Sequence, residues 1–225
     1  MTDVEANLSE VRLRIKRASD THARNTPSLL AVSKGMPESA IRRAFAAGQR
    51  EFAESYVQEA VAKIAATQDL GIVWHFIGPI QSNKTSIIAE NFAWVHSVDR
   101  LKIAARLSAA RPAHLGPLNV CIQINSSGES SKSGVEPSDL ATLASDVAKM
   151  PRLELRGLMA IPAPTGNIEA QRLAFRIVRN HFEALRQGGF AVDTLSMGMS
   201  DDLDAAIAEG ATMVRIGTAI FGPRN

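Results

Sequence analysis

Leu29-Leu30-Ala31-Val32-Ser33-Lys34 is an apolar run that ends on a lysine, and Gly35-Met36-Pro37 then turns the chain into a helical pattern from Glu38 onward. Strand, turn, helix is the repeating unit of this sequence. Read outward from there, the alternation predicts strands at 28–34, 51–55, 73–78, 94–98, 118–125, 153–161, 194–199 and 213–221. Helical patterns fill the intervals at 38–47, 57–66, 84–91, 100–110, 137–150, 168–187 and 201–209, and a further one at 4–19 precedes the first strand. Gly48, Gly188-Gly189 and Gly210 stop three of these helices. Asp99 is placed to cap the helix behind it, and Pro137 suits a first helical turn. Eight strands, seven helices between them and one helix ahead are the count of a single-domain α/β fold over residues 1–225, a (β/α)8 TIM barrel with an extra N-terminal helix. A doubly wound open sheet is the structural alternative, but it rarely uses eight short strands of such regularity.

The composition sets bounds on function. With 45% apolar and 21% charged residues among 225, a large core is available and wholesale disorder is excluded. A net charge of +2 with 5% aromatic residues gives neither a basic footprint nor a stacking surface for nucleic acid. Cys121, the single cysteine, sits in an apolar strand and reads as a small core residue. No apolar signal core or membrane-length stretch is visible, so a cytoplasmic protein is expected. His22, His75, His96, His114 and His181 have no metal-ligand spacing, and no metal site is expected. Neither a phosphate loop, a dinucleotide fingerprint nor a serine-hydrolase elbow occurs.

In a barrel of this kind the chemistry gathers at the C-terminal ends of the strands. Those ends supply Lys34, Ser55, His75 to Gly78, Asn125, Met159 to Ile161, Ser196 to Ser200 and Arg215 to Thr218. A lysine at the mouth of a buried strand either marks the solvent boundary or, losing its proton readily, forms a Schiff base with an aldehyde. Gly217 and Thr218 after the last strand offer backbone N–H groups and a hydroxyl. Ser200, at the start of a helix, reads as either an anion ligand or a helix cap. Loops after strands seven and eight are the habitual phosphate site of the fold. Lysine and phosphate cradle together suggest a phosphate-bearing aldehyde, a description that pyridoxal 5′-phosphate meets. Arg215 then lies in the barrel mouth, either in a buried ion pair or against the ligand. The serine- and glycine-rich stretch 128–134 follows strand five, on the same face.

At these residues the chain resembles the pyridoxal phosphate homeostasis protein family. The resemblance runs from Leu30 to Gly222. It is carried by Ala31-Val32-Ser33-Lys34, Tyr56-Val57-Gln58-Glu59, His75-Phe76-Ile77-Gly78, Gln81-x-Asn83-Lys84, Gln123-x-Asn125, Ser131-Lys132-Ser133-Gly134, Gly157-Leu158-Met159-Ala160-Ile161-Pro162, Leu195-Ser196-Met197-Gly198-Met199-Ser200-Asp201 and Arg215-Ile216-Gly217-Thr218-Ala219-Ile220-Phe221-Gly222. It implies a fold-type III pyridoxal-phosphate barrel similar to the N-terminal domain of alanine racemase. It further implies that Lys34 carries the cofactor as an internal aldimine, that Ser200, Gly217 and Thr218 hold the phosphate, and that Arg215 faces the pyridine nitrogen. Two departures stand out. Phe52-Ala53-Glu54-Ser55 replaces the family's Phe-Gly-Glu-Asn, which puts the shorter Ser55 beside the cofactor. Gly35-Met36-Pro37 replaces Thr-Lys-Pro.

The expected role is a binding protein that takes part in intracellular pyridoxal phosphate (vitamin B6) homeostasis, with no catalytic residue assigned. Pyridoxal-phosphate-dependent apoenzymes are its possible acceptors, and a monomer is expected. The alternative is an amino-acid racemase or decarboxylase of fold type III. A two-base racemase needs an acid/base group on each face of the bound substrate. The single tyrosine, Tyr56, begins a helix and is no obvious source of the second one.

Overall fold

The computed structural model describes residues 3–126 and 133–223. Stretch 128–134, assigned above to the active face, lies outside the described residues except for Ser133 and Gly134. Among the described residues eight parallel strands close into a barrel in sequence order: β1 Ser28–Val32, β2 Glu51–Glu54, β3 Val73–Phe76, β4 Trp94–Val98, β5 Leu118–Gln123, β6 Leu153–Met159, β7 Thr194–Ser196 and β8 Met213–Ile216. The seam pairs β1 with β8 and sets Leu30 opposite Arg215.

The helices are α1 Val4–Thr21, α2 Glu38–Ala46, α3 Val57–Ala66, α4 Thr85–Asn91, α5 Leu101–Ala110, α6 Leu140–Ala148, α7 Ile168–Gln187, α8 Leu203–Ala208 and the short α9 Thr218–Phe221. Their apolar stripes explain why they form. On α1, Val4, Leu8, Val11, Ile15 and Ala18 are buried at three- and four-residue intervals, and Asp3 caps the helix by accepting the Ala6 N–H at 3.0 Å. On α7 the buried stripe is Phe175, Val178, Phe182 and Leu185, with Asn167 capping through the Ala170 N–H. α1 packs against α8, α9 and α2, beside the β1–β8 seam.

Period-two alternation sorts each strand into two faces. Ala31, Phe52, Val95, Val120, Leu158, Leu195 and Val214 join the large core between sheet and helices. Leu30, Val32, Ala53 and Met213 form a separate small cluster inside the barrel, with Ile77 against it. Lys34 follows Leu30 and Val32 by the same period, and so continues the inner row. Polar side chains share the interior: His75, His96, Ser196 and Arg215 are all buried.

Several expected boundaries shift. Strands one, two, three, five, six and seven stop before the predicted end; just beyond three of them Ser33, Ala160 and Met197 stay buried, and each still donates one backbone N–H to the neighbouring strand before the ladder ends. The expected strand 213–221 ends at Ile216, and Thr218–Phe221 is a helical turn. Asp99 does not cap α5; its carboxylate accepts from Arg100 Nη1 at 2.8 Å, and Arg100 holds the cap position. Pro137 lies in a turn ahead of α6. A 3-10 turn, Ser82–Lys84, precedes α4. Among the described residues no helix is long and apolar enough to cross a membrane, and no group of three or more His, Cys, Asp or Glu could hold a metal ion.

Candidate functional site

Lys34, Ser55, Ser200, Arg215, Gly217 and Thr218 line one cavity of about 490 Å³ at the C-terminal mouth of the barrel. They come from four strand ends that are remote in sequence and adjacent through the seam and the β1–β2 pairing. Val32, Met36, Ile77, Ile161 and Phe221 supply apolar wall. Asn125 is not in this lining; its amide donates to Glu136 Oε1 at 2.9 Å. A hollow of about 520 Å³ along α1 holds none of the six.

The turn that carries Lys34 is held from behind. Ser33 points to the outer face and donates to Glu54 Oε1 at 2.7 Å. Lys63, nearly buried on α3, donates to the Ser33 carbonyl and Glu54 Oε1 at 2.7 Å each, and to Glu59 Oε1 at 2.5 Å. Glu59 Oε1 also accepts the Gly35 N–H at 2.6 Å. Gly35 has φ 74°, in the left-handed region that glycine enters without strain. Desolvation pushes the Glu54 carboxyl up against the pull of Lys63 and Ser33. Ser55 is fixed by close packing of backbone: a β-carbon at Gly78 would fall 2.1 Å from the Ser55 carbonyl oxygen.

The Ser200 loop has its own fastening. Arg14 on α1 donates from Nη1 to the Ser200 carbonyl at 2.9 Å and pairs with Asp204. Asp202, not Ser200, holds the N-cap position of α8, so the capping role considered for Ser200 does not apply. Asp202 Oδ1 instead accepts the Met199 N–H at 2.5 Å and tightens the loop.

Arg215 forms the floor. It is 3% exposed and donates from Nη1 to the Ser196 carbonyl at 2.5 Å and to Ser196 Oγ at 2.8 Å, and from Nη2 to the Ala160 carbonyl at 2.9 Å. No carboxylate is among these partners. Burial pushes its pKa down to about 10, with Asp202 pulling the other way, and it is still a cation at neutral pH. Cys121 is buried and its thiol is pushed up to about 12 by desolvation, in keeping with a core residue. Sequence reasoning missed the Ser33–Glu54–Lys63–Glu59 cluster, Arg14 and Asp202. The four-residue step from Glu59 to Lys63 was the available signal for the first.

The alanine racemase N-terminal domain family matches residues 6–225. A pyridoxal phosphate homeostasis protein of Pseudomonas aeruginosa is 58% identical over all of this chain and 97% of its own length. This chain belongs to the pyridoxal phosphate homeostasis protein family. A solved structure related to it is PipY of Synechococcus elongatus with PLP bound, 35% identical, with a TM-score of 0.87 over 98% of this chain and 100% of that one. Alanine racemase from Corynebacterium glutamicum shares the fold at 20% identity and a TM-score of 0.73, and this chain spans 60% of it. Both departures from the family motif lie at the cavity: Ser55 and Met36 line it, and Gly35 adjoins Lys34.

Proposed function

We propose that residues 1–225 act as one domain that binds pyridoxal 5′-phosphate in the mouth cavity and serves pyridoxal phosphate homeostasis. The observation that carries this reading is the convergence of a lysine, three hydroxyl side chains and a buried guanidinium on one cavity. The donor set fits the cofactor group by group. An amine matches the aldehyde, hydroxyls and backbone N–H groups match the phosphate, and a guanidinium matches the ring nitrogen. PipY, with PLP bound, has the same fold at 35% identity.

In this reading Lys34 Nζ condenses with the aldehyde, releasing water, and retains the cofactor as a Schiff base. Ser200 and Thr218 donate to the phosphate together with the backbone at Gly217, and Ser55 stands beside the ring. Arg215 can only donate, so the nitrogen facing it must present its lone pair and stay unprotonated. An unprotonated ring is a weak electron sink, which suits holding the cofactor better than transforming substrates on it. Among the described residues lining the cavity there is no tyrosine, histidine or cysteine, and Asp201 is the one carboxylate. Tyr56 lies outside this lining, largely exposed at the start of α3. The role proposed is that of a cytoplasmic monomer that passes the cofactor to pyridoxal-phosphate-dependent apoenzymes.

The test is an absorbance spectrum of the protein with added pyridoxal 5′-phosphate, beside Lys34→Ala. A visible band that borohydride abolishes, absent from the variant, is expected. A wild-type protein that stays colourless overturns the reading. Rapid multi-turnover exchange of amino-acid α-protons in deuterated water would reassign the protein as a racemase or decarboxylase.

A further inference from the structure

The barrel interior contains a polar chain that the binding role does not by itself call for. From Arg215 on β8 it passes to Ser196 on β7, then across the barrel to His96 on β4, His75 on β3 and Glu51 on β2. Ser196 Oγ lies 2.8 Å from His96 Nδ1, and His96 Nε2 lies 3.0 Å from His75 Nδ1. Ser196 and both imidazoles are fully buried. Trp94 stacks on His75 with ring centroids 5.4 Å apart and lies 5.9 Å from His96, which fixes both ring planes.

We infer that Ser196, His96 and His75 are positioning residues that hold the Arg215 guanidinium toward the cofactor, through a hydrogen-bond chain whose direction is fixed from both ends. At one end Arg215 donates to Ser196 Oγ, so the hydroxyl uses a lone pair there. Its own proton then goes to its other partner, His96 Nδ1. An imidazole accepting at Nδ1 carries its proton on Nε2 and donates it to His75 Nδ1. His75 in turn carries its proton on Nε2, which has no hydrogen-bond partner and faces Glu51 Oε1 at 3.8 Å. That gap is too long for a hydrogen bond, yet a carboxylate there favours an N–H over a lone pair. Cation and carboxylate therefore dictate the same direction. Reversal would leave the serine proton without an acceptor and aim a lone pair at Glu51.

Burial supports the neutral forms this requires: desolvation pushes His75 down to about 3 and His96 well below its ordinary value, with the Arg215 cation adding to the latter. The consequence for Arg215 is geometric. Its Nη1 is gripped by the carbonyl and the hydroxyl of one residue, and that hydroxyl cannot rotate away without breaking its bond to His96.

The role toward the cofactor rests on the binding reading above; the direction of the chain does not, and the experiment separates them. In cofactor-free protein labelled with 15N-histidine, long-range 15N–1H correlation at neutral pH should show the Nε2–H tautomer for both His75 and His96. An Nδ1–H tautomer or a doubly protonated ring at either position overturns the inference. Ser196→Ala should give His96 a mixture of tautomers, shift the visible band of bound pyridoxal 5′-phosphate and weaken its retention about 10- to 100-fold, the loss of one charge-assisted bond. Ser196→Thr, which keeps the hydroxyl, should restore all three. Wild-type tautomers or an unmoved band in Ser196→Ala overturns the inference. A wild-type protein that forms no band refutes the binding reading and leaves the tautomer result decisive for the chain.

Discussion

Lys63 Nζ sits 2.7 Å from Glu54 Oε1 with both side chains almost wholly excluded from water, and the same ammonium donates to the carbonyl of Ser33, the residue before Lys34. A buried carboxylate left without its cation is a costly defect. Lys63→Met is therefore expected to lower unfolding free energy by about 3 to 5 kcal/mol. The loss should shrink as pH falls and Glu54 is protonated, because its folded-state pKa is already raised by burial and rises further without Lys63. Urea unfolding of both proteins at neutral and mildly acidic pH checks the size and the trend. Equal stability at neutral pH would mean that the ion pair contributes nothing to holding the lysine turn.

The Glu209 carboxyl is shifted the other way, down rather than up. Its side chain is 1% exposed and is clasped by Arg172, Arg176 and Arg179. Burial works to raise its pKa, but the hydrogen bonds from Arg176 and Arg172 outweigh that and hold it below the ordinary 4.5. A depressed carboxyl pKa contributes stability that is fully present above the unfolded-state value and is lost as pH falls through the folded-state value. The melting temperature of the wild type should exceed that of Glu209→Gln at neutral pH, and the two should converge as pH drops below about 4.5. A gap that persists undiminished in acid would assign the effect to packing.

These two carboxylates also mark where the sequence was legible and where it was not. The eight strands could be read because parallel barrel strands are covered on both faces and appear as apolar runs bounded by turn residues. Lys34, Ser200 and Arg215 stood out as charged or hydroxyl side chains interrupting such runs at the right ends. Partnerships across the barrel carry no local pattern. His96 meets Ser196 a hundred positions away, and Ser33 meets Glu54 through the pleat of two neighbouring strands. Apolarity overstates strand length because it follows burial, and the barrel mouth buries residues such as Met197 that lie beyond the last regular strand pairing. Asp99 has the residue type and place of a cap, but the adjacent Arg100 guanidinium competes for its carboxylate and wins.

Arg14 tests how far the Ser200 loop depends on its fastening. Its pair with Asp204 is about half exposed on both sides and should contribute little to stability. Its bond to the Ser200 carbonyl holds the loop where the phosphate is proposed to bind. Arg14→Ala is expected to leave the melting temperature within about 2 °C of wild type. It should weaken pyridoxal 5′-phosphate binding about 2- to 10-fold, the worth of one hydrogen bond. Titration monitored by absorbance measures the second quantity. Unchanged affinity would show that Asp202 alone sets the loop.

Ser55 offers the converse experiment, a gain. It lines the cavity from the end of β2, where the family motif has asparagine, and its backbone is pinned by contact with Gly78. With the backbone fixed, the side chain's reach decides what it touches. Asparagine extends one atom further and brings both a donor and an acceptor. Ser55→Asn is therefore expected to slow loss of pyridoxal 5′-phosphate on dialysis and to tighten binding about 2- to 10-fold, with the Lys34 linkage and visible band preserved. Weaker binding with an intact fold would instead show that the side chains around Ser55 are packed for serine, so that the longer amide is forced against Ile77 rather than toward the ring.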